Sequence, residues 1–311
     1  MVFGVRSVSF DKKKEKLEMK NMVEGIDELQ KLICEELNIS QNVLDAAQSI
    51  IGDIILDAND VPEIPAGEIY VEDFHEYTVT LLGNEYTVYC RFIHFRNVNE
   101  WKAFRKEKKK QNSGFNATKM FVRMTVDVIN DWFDETSVWR DLYHELSHLH
   151  FHLRKGDYGD NAIGNKTIYN IAKANFTYKD DNNSKAAQAV YLRGTNEMSA
   201  FVHGLYGEIS KNDEYKTHLS ANDVMKKSPV YIVYCNLRQF EDDILNGKVQ
   251  NLDNIASKYG ITSREMYSIV KNSKSRLGAG IARAIAKASG EKEINEMINS
   301  YSDYIRASIE D

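Results

Sequence analysis

Twice in this chain, apolar residues recur at i, i+4, i+7 and i+11. Leu142, Leu146, Leu149 and Leu153 make one such stripe, and Met198, Val202, Leu205 and Ile209 make the other. At 3.6 residues per turn this spacing gathers the four side chains on one face, so the pattern predicts two amphipathic helices, each seated in a core. Upstream the period drops towards two. Met120, Val122, Met124, Val126 and Val128 alternate with other residues, imperfectly at the end, and predict a half-buried strand. Two earlier stretches, about 68–80 and 85–95, read as strands joined through Leu82-Gly83-Asn84, a hairpin turn. Between that hairpin and the Met120 strand, Trp101 to Lys110 reads as a basic helix.

The flanks are helical in pattern. Ile26, Leu29, Ile33 and Leu37 mark one helix, and Ser40 is placed to cap a second that carries Val43, Leu44, Ile50, Ile51 and Ile54. Pro62 and Pro65 close this region. Residues 155–185, rich in Gly, Asp and Asn, read as a loop whose Lys179-Asp-Asp-Asn-Asn-Ser run is a solvated turn rather than a calcium site. Beyond residue 220, Pro229 opens a helix through Val233, Leu237 and Phe240. Leu252 to Val270, with Gly260 at the turn, resembles a small helix-turn-helix, and Arg276 to Ala288 reads as a terminal helix packed through small residues. The expectation is an α+β fold in three parts: a helical region 1–60, a mixed region 61–215 and a helical region 216–311.

Composition narrows the class. The protein has 311 residues, a net charge of −6, 42 % hydrophobic and 11 % aromatic residues, which favours a folded polypeptide over a disordered one and gives no strong nucleic-acid signal. Its first residues include no apolar run of signal-peptide length, and no segment approaches the roughly 18 apolar residues of a membrane span. Three scattered cysteines, Cys34, Cys90 and Cys235, suit a reducing compartment. A cytoplasmic location is expected.

The chemistry lies on the two striped helices. His144 and His148 in His144-Glu-Leu-Ser-His148 are four apart, which places two imidazoles on one helical face, nearly opposite the leucines, where they can share one Zn²⁺ at about 2.0–2.1 Å. Glu145 flanks that position as a base for a water on the metal. A third ligand is needed, and Glu197, at the start of the second helix behind Thr195 as N-cap, is the best candidate, although a carboxylate there also suits the positive end of the helix. Ala200, Gly204 and Gly207 leave room for a close approach by another helix or a substrate.

His-Glu-Leu-Ser-His followed by a glutamate in Asn196-Glu-Met-Ser-Ala-Phe201 resembles the zincin metallopeptidases, in particular the glutamate-ligand group that includes thermolysin. It is also similar to the regulatory metallopeptidases of mobile genetic elements and to short phage-encoded proteins with this motif. The resemblance spans roughly residues 118–210. It implies Zn²⁺ held by His144, His148 and Glu197, hydrolysis of a protein or peptide substrate with Glu145 as base, and a sheet whose edge strand aligns extended substrate. It also implies a histidine or tyrosine that stabilises the oxyanion, for which His203 and Tyr206 are nearest in sequence and Tyr191 and His218 stand in reserve. One departure is plain. The group has an aspartate four residues past the ligand glutamate to orient a zinc histidine, whereas this sequence has Phe201, and Asp141 is a stand-in. The alternative from another class is a structural or interaction protein, a component of a virion or other assembly, that keeps the scaffold with a silent site.

Overall fold

Leu82 and Gly83 both adopt positive φ, 52° and 81°, the backbone that a two-residue hairpin turn requires to match the twist of its strands. They join β1 (Tyr70–Leu81) to β2 (Asn84–Phe95) in an antiparallel pair, with Leu81 opposite Asn84 and Tyr70 opposite Phe95. β4 (Phe121–Ile129) runs parallel to β2, and the short β3 (Gly114–Asn116) pairs antiparallel with the far side of β4. The order is β1-β2-β4-β3, a mixed sheet with β3 at one edge. These features come from a computed structural model that describes residues 39–107, 113–130, 133–155, 166–211 and 228–289. The protein divides into units 1–38 and 39–311. The first unit, including the helix expected around Ile26 to Leu37, lies outside the described residues, as do Lys108–Lys110 of the expected basic helix.

Alternation in β4 buries Val122, Met124, Val126 and Val128, while Arg123 is exposed. The alternation fails at Ile129 for a packing reason: Ile129 joins Ile93, Phe95 and Phe104 in a second small core on the opposite face. That core lies under α2 (Val98–Glu107), which is tied to β4 by Trp101 Nε1 and Arg105 Nε, both donating to Asp127 Oδ2 at 2.8 Å.

The other sheet face and the helices make the main core. α1 (Gln41–Asn59) buries Val43, Leu44, Ile50, Ile51 and Ile54 and packs on β1 and α3 (Glu135–Lys155). In α3, Leu142, Leu146 and Leu149 are fully buried, with Leu153 half-buried at the outer end. α6 (Thr195–Lys211) buries Met198, Val202, Leu205 and Ile209 and lies directly along α3. The helix starts at Thr195 rather than after it, so the cap position falls to Gly194, whose carbonyl accepts from Met198 N–H at 3.1 Å. The glycines of α6 set the approach to α3: a Cβ at Gly207 would lie 2.8 Å from the Trp139 carbonyl oxygen and from Tyr143 Cδ2.

α4 (Lys166–Asn175) and the first turn of α5 (Asn182–Tyr191) occupy the stretch expected as loop. The Asp-rich run is the start of α5: Asp181 Oδ1 accepts from Ser184 N–H at 2.9 Å, an N-cap bond. Beyond α6 come α7 (Pro229–Leu245), α8 (Leu252–Ser257) and α9 (Ser263–Ser289). Gly260 takes φ 66° between the last two, but α9 runs unbroken for 27 residues and includes the Arg276 to Ala288 stretch. It packs on α6 and α7, with Gly280 against Val202, where a Cβ would collide. The fold is therefore α+β, with a four-stranded mixed sheet and, among the described residues, nine helices. None of these is long and apolar enough to cross a membrane.

Candidate metal centre

The periodicity that buries the leucines of α3 turns His144 and His148 the other way, towards the N-terminal turn of α6. There Glu197 meets them. Nε2 of His148 lies 3.1 Å from Nε2 of His144 and 3.5 Å from Glu197 Oε2, and the three donor atoms fall within 4.8 Å of one another. Two ligands held at about 2.05 Å from one tetrahedral cation would be about 3.3 Å apart. The two separations to His148, 3.1 and 3.5 Å, lie on either side of that value, so the donor set suits a zinc ion in number and type and could hold one. Glu197 Oε2 is buried and meets no hydrogen-bond partner, its nearest charged neighbour being His148 Nε2 at 3.5 Å, so a closely bound cation would satisfy it better.

The surroundings orient these ligands. His148 Nδ1 lies 2.9 Å from Asn196 Oδ1. Because an amide oxygen only accepts, Nδ1 carries the proton and donates, which leaves Nε2 as the ring atom facing His144 and Glu197. Tyr169, from α4, donates to Glu197 Oε1. The ring of Phe201 meets His144 edge to face, with centroids 5.4 Å apart, so the position where the zincin group has an orienting aspartate holds this imidazole by packing. Asp141, the expected stand-in, bonds Arg140 Nε at 3.1 Å instead.

Charge follows from burial and from this pairing. Burial pushes His144 down to about 3, helped by the adjacent His148. Burial also works against charge on both His148 and Glu197, but their mutual attraction prevails, raising the imidazole above its ordinary value and holding the carboxyl well below the usual range. Glu145, on the same face of α3 and buried, is pushed up to about 7 by desolvation, with His148 pulling in the other direction.

A cleft of about 680 Å³ opens over the centre. His144, Glu145, His148 and Glu197 line it, and β3 contributes Gly114 and Phe115 along one wall. Phe115 also rests against His152, with ring centroids 5.5 Å apart. α4 and the end of α5 supply Tyr169, Lys173 and Tyr191.

The structure brings together four of the six residues singled out in the sequence and leaves two outside. His203 lies behind the helices. Its Nδ1 donates to the Ser199 carbonyl at 2.8 Å, and its Nε2 accepts from Ser40 N–H at 2.9 Å, so both ring nitrogens serve the core and burial lowers its basicity to about 4. Tyr206 packs on Tyr143, with centroids 5.9 Å apart, and does not line the cleft. Helical geometry accounts for both: at 100° per residue, six and nine positions past Glu197 turn about 120° and 180° away from its face. Tyr191 does reach the cleft, and His218 lies outside the described residues. The sequence reading missed Asn196, adjacent to Glu197, and Tyr169. The Asn-Glu pair at a helix start carried a signal for the first. Ile168, Ile171 and Ala172 at helical spacing carried one for the helix that delivers the second.

No protein-family model, no curated protein and no solved structure matches this sequence.

Proposed function

We propose that this protein is a zinc-dependent metallopeptidase of zincin type, hydrolysing peptide bonds in a protein or peptide substrate. One observation carries the reading: two imidazole nitrogens and a buried carboxylate oxygen converge within 4.8 Å of one another on a cleft that Glu145 also lines. When bound there, zinc supplies a Lewis acid that acidifies water and polarises a carbonyl.

The protein's own groups do the rest. Glu145 accepts the proton of the attacking water and returns it to the departing amine, and a carboxyl with a pKa near 7 in the metal-free cleft is a base suited to neutral pH. Asn196 and Tyr169 keep His148 and Glu197 aimed at one point. The sheet order supports an extended substrate, since β3 lines the cleft and, among the described residues, is an edge strand with one side unpaired in the sheet; main-chain pairing there gives affinity with little sequence demand. Of the three phenols that line the cleft, Tyr169, Tyr178 and Tyr191, Tyr191 is the one assigned to the developing oxyanion; its hydroxyl bonds with Tyr169 and Glu197 in the metal-free protein.

The test is Glu145→Gln. The variant is expected to bind zinc as the wild type does and to lose hydrolysis of an unfolded protein substrate by several orders of magnitude. Undiminished hydrolysis in a variant with full zinc content would overturn the mechanism.

A further inference from the structure

Arg140 stands one turn before His144 on α3 and lines the same cleft. Its side chain is 24 % exposed, and among the described residues its one polar bond runs from Nε to Asp141 Oδ1 at 3.1 Å. A guanidinium has five N–H donors in a rigid fork, so among the described residues the Nη donors have no partner and are available to what enters the cleft. Gly204 fixes the base of that fork. A Cβ at residue 204 would lie 3.3 Å from Arg140 Cγ and 3.1 Å from its carbonyl oxygen, so the bare glycine lets the arginine stem lie flat on α6.

The other cations on the wall differ from it. Arg105 is committed to Asp127, and Lys173 is exposed. Of the acidic groups near Arg140, Asp141 takes only Nε, and Glu208 accepts from Ser228 Oγ at 2.8 Å. Tyr178, Pro229 and Val230 form the nearby walls, and a guanidinium meets a carboxylate through a charge-assisted, two-pronged fork.

We propose that Arg140 determines specificity by seating a carboxylate of the substrate, either from an acidic residue or from the free C-terminus of a peptide, beside the metal centre. The inference rests on the peptidase reading. Four residues of helix rise about 6 Å and an extended peptide advances about 3.3 Å per residue, so the carboxylate belongs to a residue one or two positions from the bond that Glu145 serves.

The experiment follows the Nε–H resonance of Arg140 in the full-length, zinc-loaded Glu145→Gln protein with ¹⁵N-labelled arginine, assigned by its loss in Arg140→Gln. The probes are N-acetyl-Ala-Glu-Ala-amide, its Gln counterpart, and N-acetyl-Ala-Ala-Ala as the free acid and as the amide. The expected result is a saturable shift with one of the two carboxylate probes, which identifies the source, and binding roughly tenfold or more weaker for its uncharged partner. A signal that does not move, or that moves equally with the Gln and amide probes, overturns the proposal. The readout needs no turnover, so a protein that proves inactive in hydrolysis still reports on Arg140, and the two readings fail separately.

Discussion

Asn196 Oδ1 lies 2.9 Å from His148 Nδ1, and this one bond decides which nitrogen of a ligand imidazole is free. An amide oxygen cannot donate, so the proton stays on Nδ1 and Nε2 is presented to His144 and Glu197. Asn196→Ala should leave the fold intact and weaken zinc binding about 10–100-fold, as read by competition with a chromogenic chelator. Affinity equal to the wild type would show that the ring needs no such restraint.

Metal content tests the centre itself. The wild type is expected to carry about one equivalent of zinc, and His148→Ala and Glu197→Ala to carry little, measured by elemental analysis after dialysis against trace zinc. Stoichiometric zinc in both variants would place the metal elsewhere.

Zinc binding should depend on pH in a defined direction. Burial disfavours charge on His148, yet Glu197 outweighs it and raises the imidazole above its usual pKa in the metal-free protein. Below that raised value zinc must displace a proton, so its affinity should climb about tenfold per pH unit from pH 6 upward and level off once His148 is neutral. Chelator competition at pH 6, 7 and 8 checks this. A flat profile would mean that His148 is already deprotonated.

The α3–α6 approach predicts opposite outcomes for two glycines. Gly207→Ala drives a Cβ to 2.8 Å from the Trp139 carbonyl oxygen and the Tyr143 ring, an overpacking that should cost about 1–3 kcal/mol. Gly52→Ala, within α1 and with no atom inside 4 Å of the new Cβ, should stabilise by about 0.5–1 kcal/mol. Urea unfolding of the two metal-free variants gives both numbers.

Away from the centre, His75 bonds Asp73 Oδ2 at 2.7 Å through Nε2 and meets Asp57 Oδ2 at 3.0 Å through Nδ1. The Asp73 bond raises the His75 pKa and lowers that of Asp73. A raised histidine stabilises fully below its unfolded value near 6.5 and loses that contribution as pH rises through the folded value. A lowered aspartate contributes above about 3.8 and loses its share as pH falls through its folded value. The stability difference between wild type and His75→Gln should therefore be largest between about pH 4.5 and 6.5 and shrink above it, as measured by chemical unfolding across that range.

Periodicity by itself determined the two striped helices, the hairpin at Leu82-Gly83 and the placing of His144, Glu145 and His148 on one face, because each depends only on the repeat of a regular backbone and on neighbours within a few residues. The nomination of Glu197 was a guess about a partner, and proximity in sequence misled for His203 and Tyr206, which point away from Glu197 around the same helix. Helices α4 and α5 escaped notice because their polar, Asn-rich surroundings masked short apolar faces. What only the tertiary structure decided was convergence. Asn196, Tyr169, Phe201 and Arg140 reach the cleft through the close approach of α3 and α6 across Gly204 and Gly207 and the docking of α4 beside them. Such contacts join residues far apart in sequence, and no local repeat encodes the distance between two packed helices.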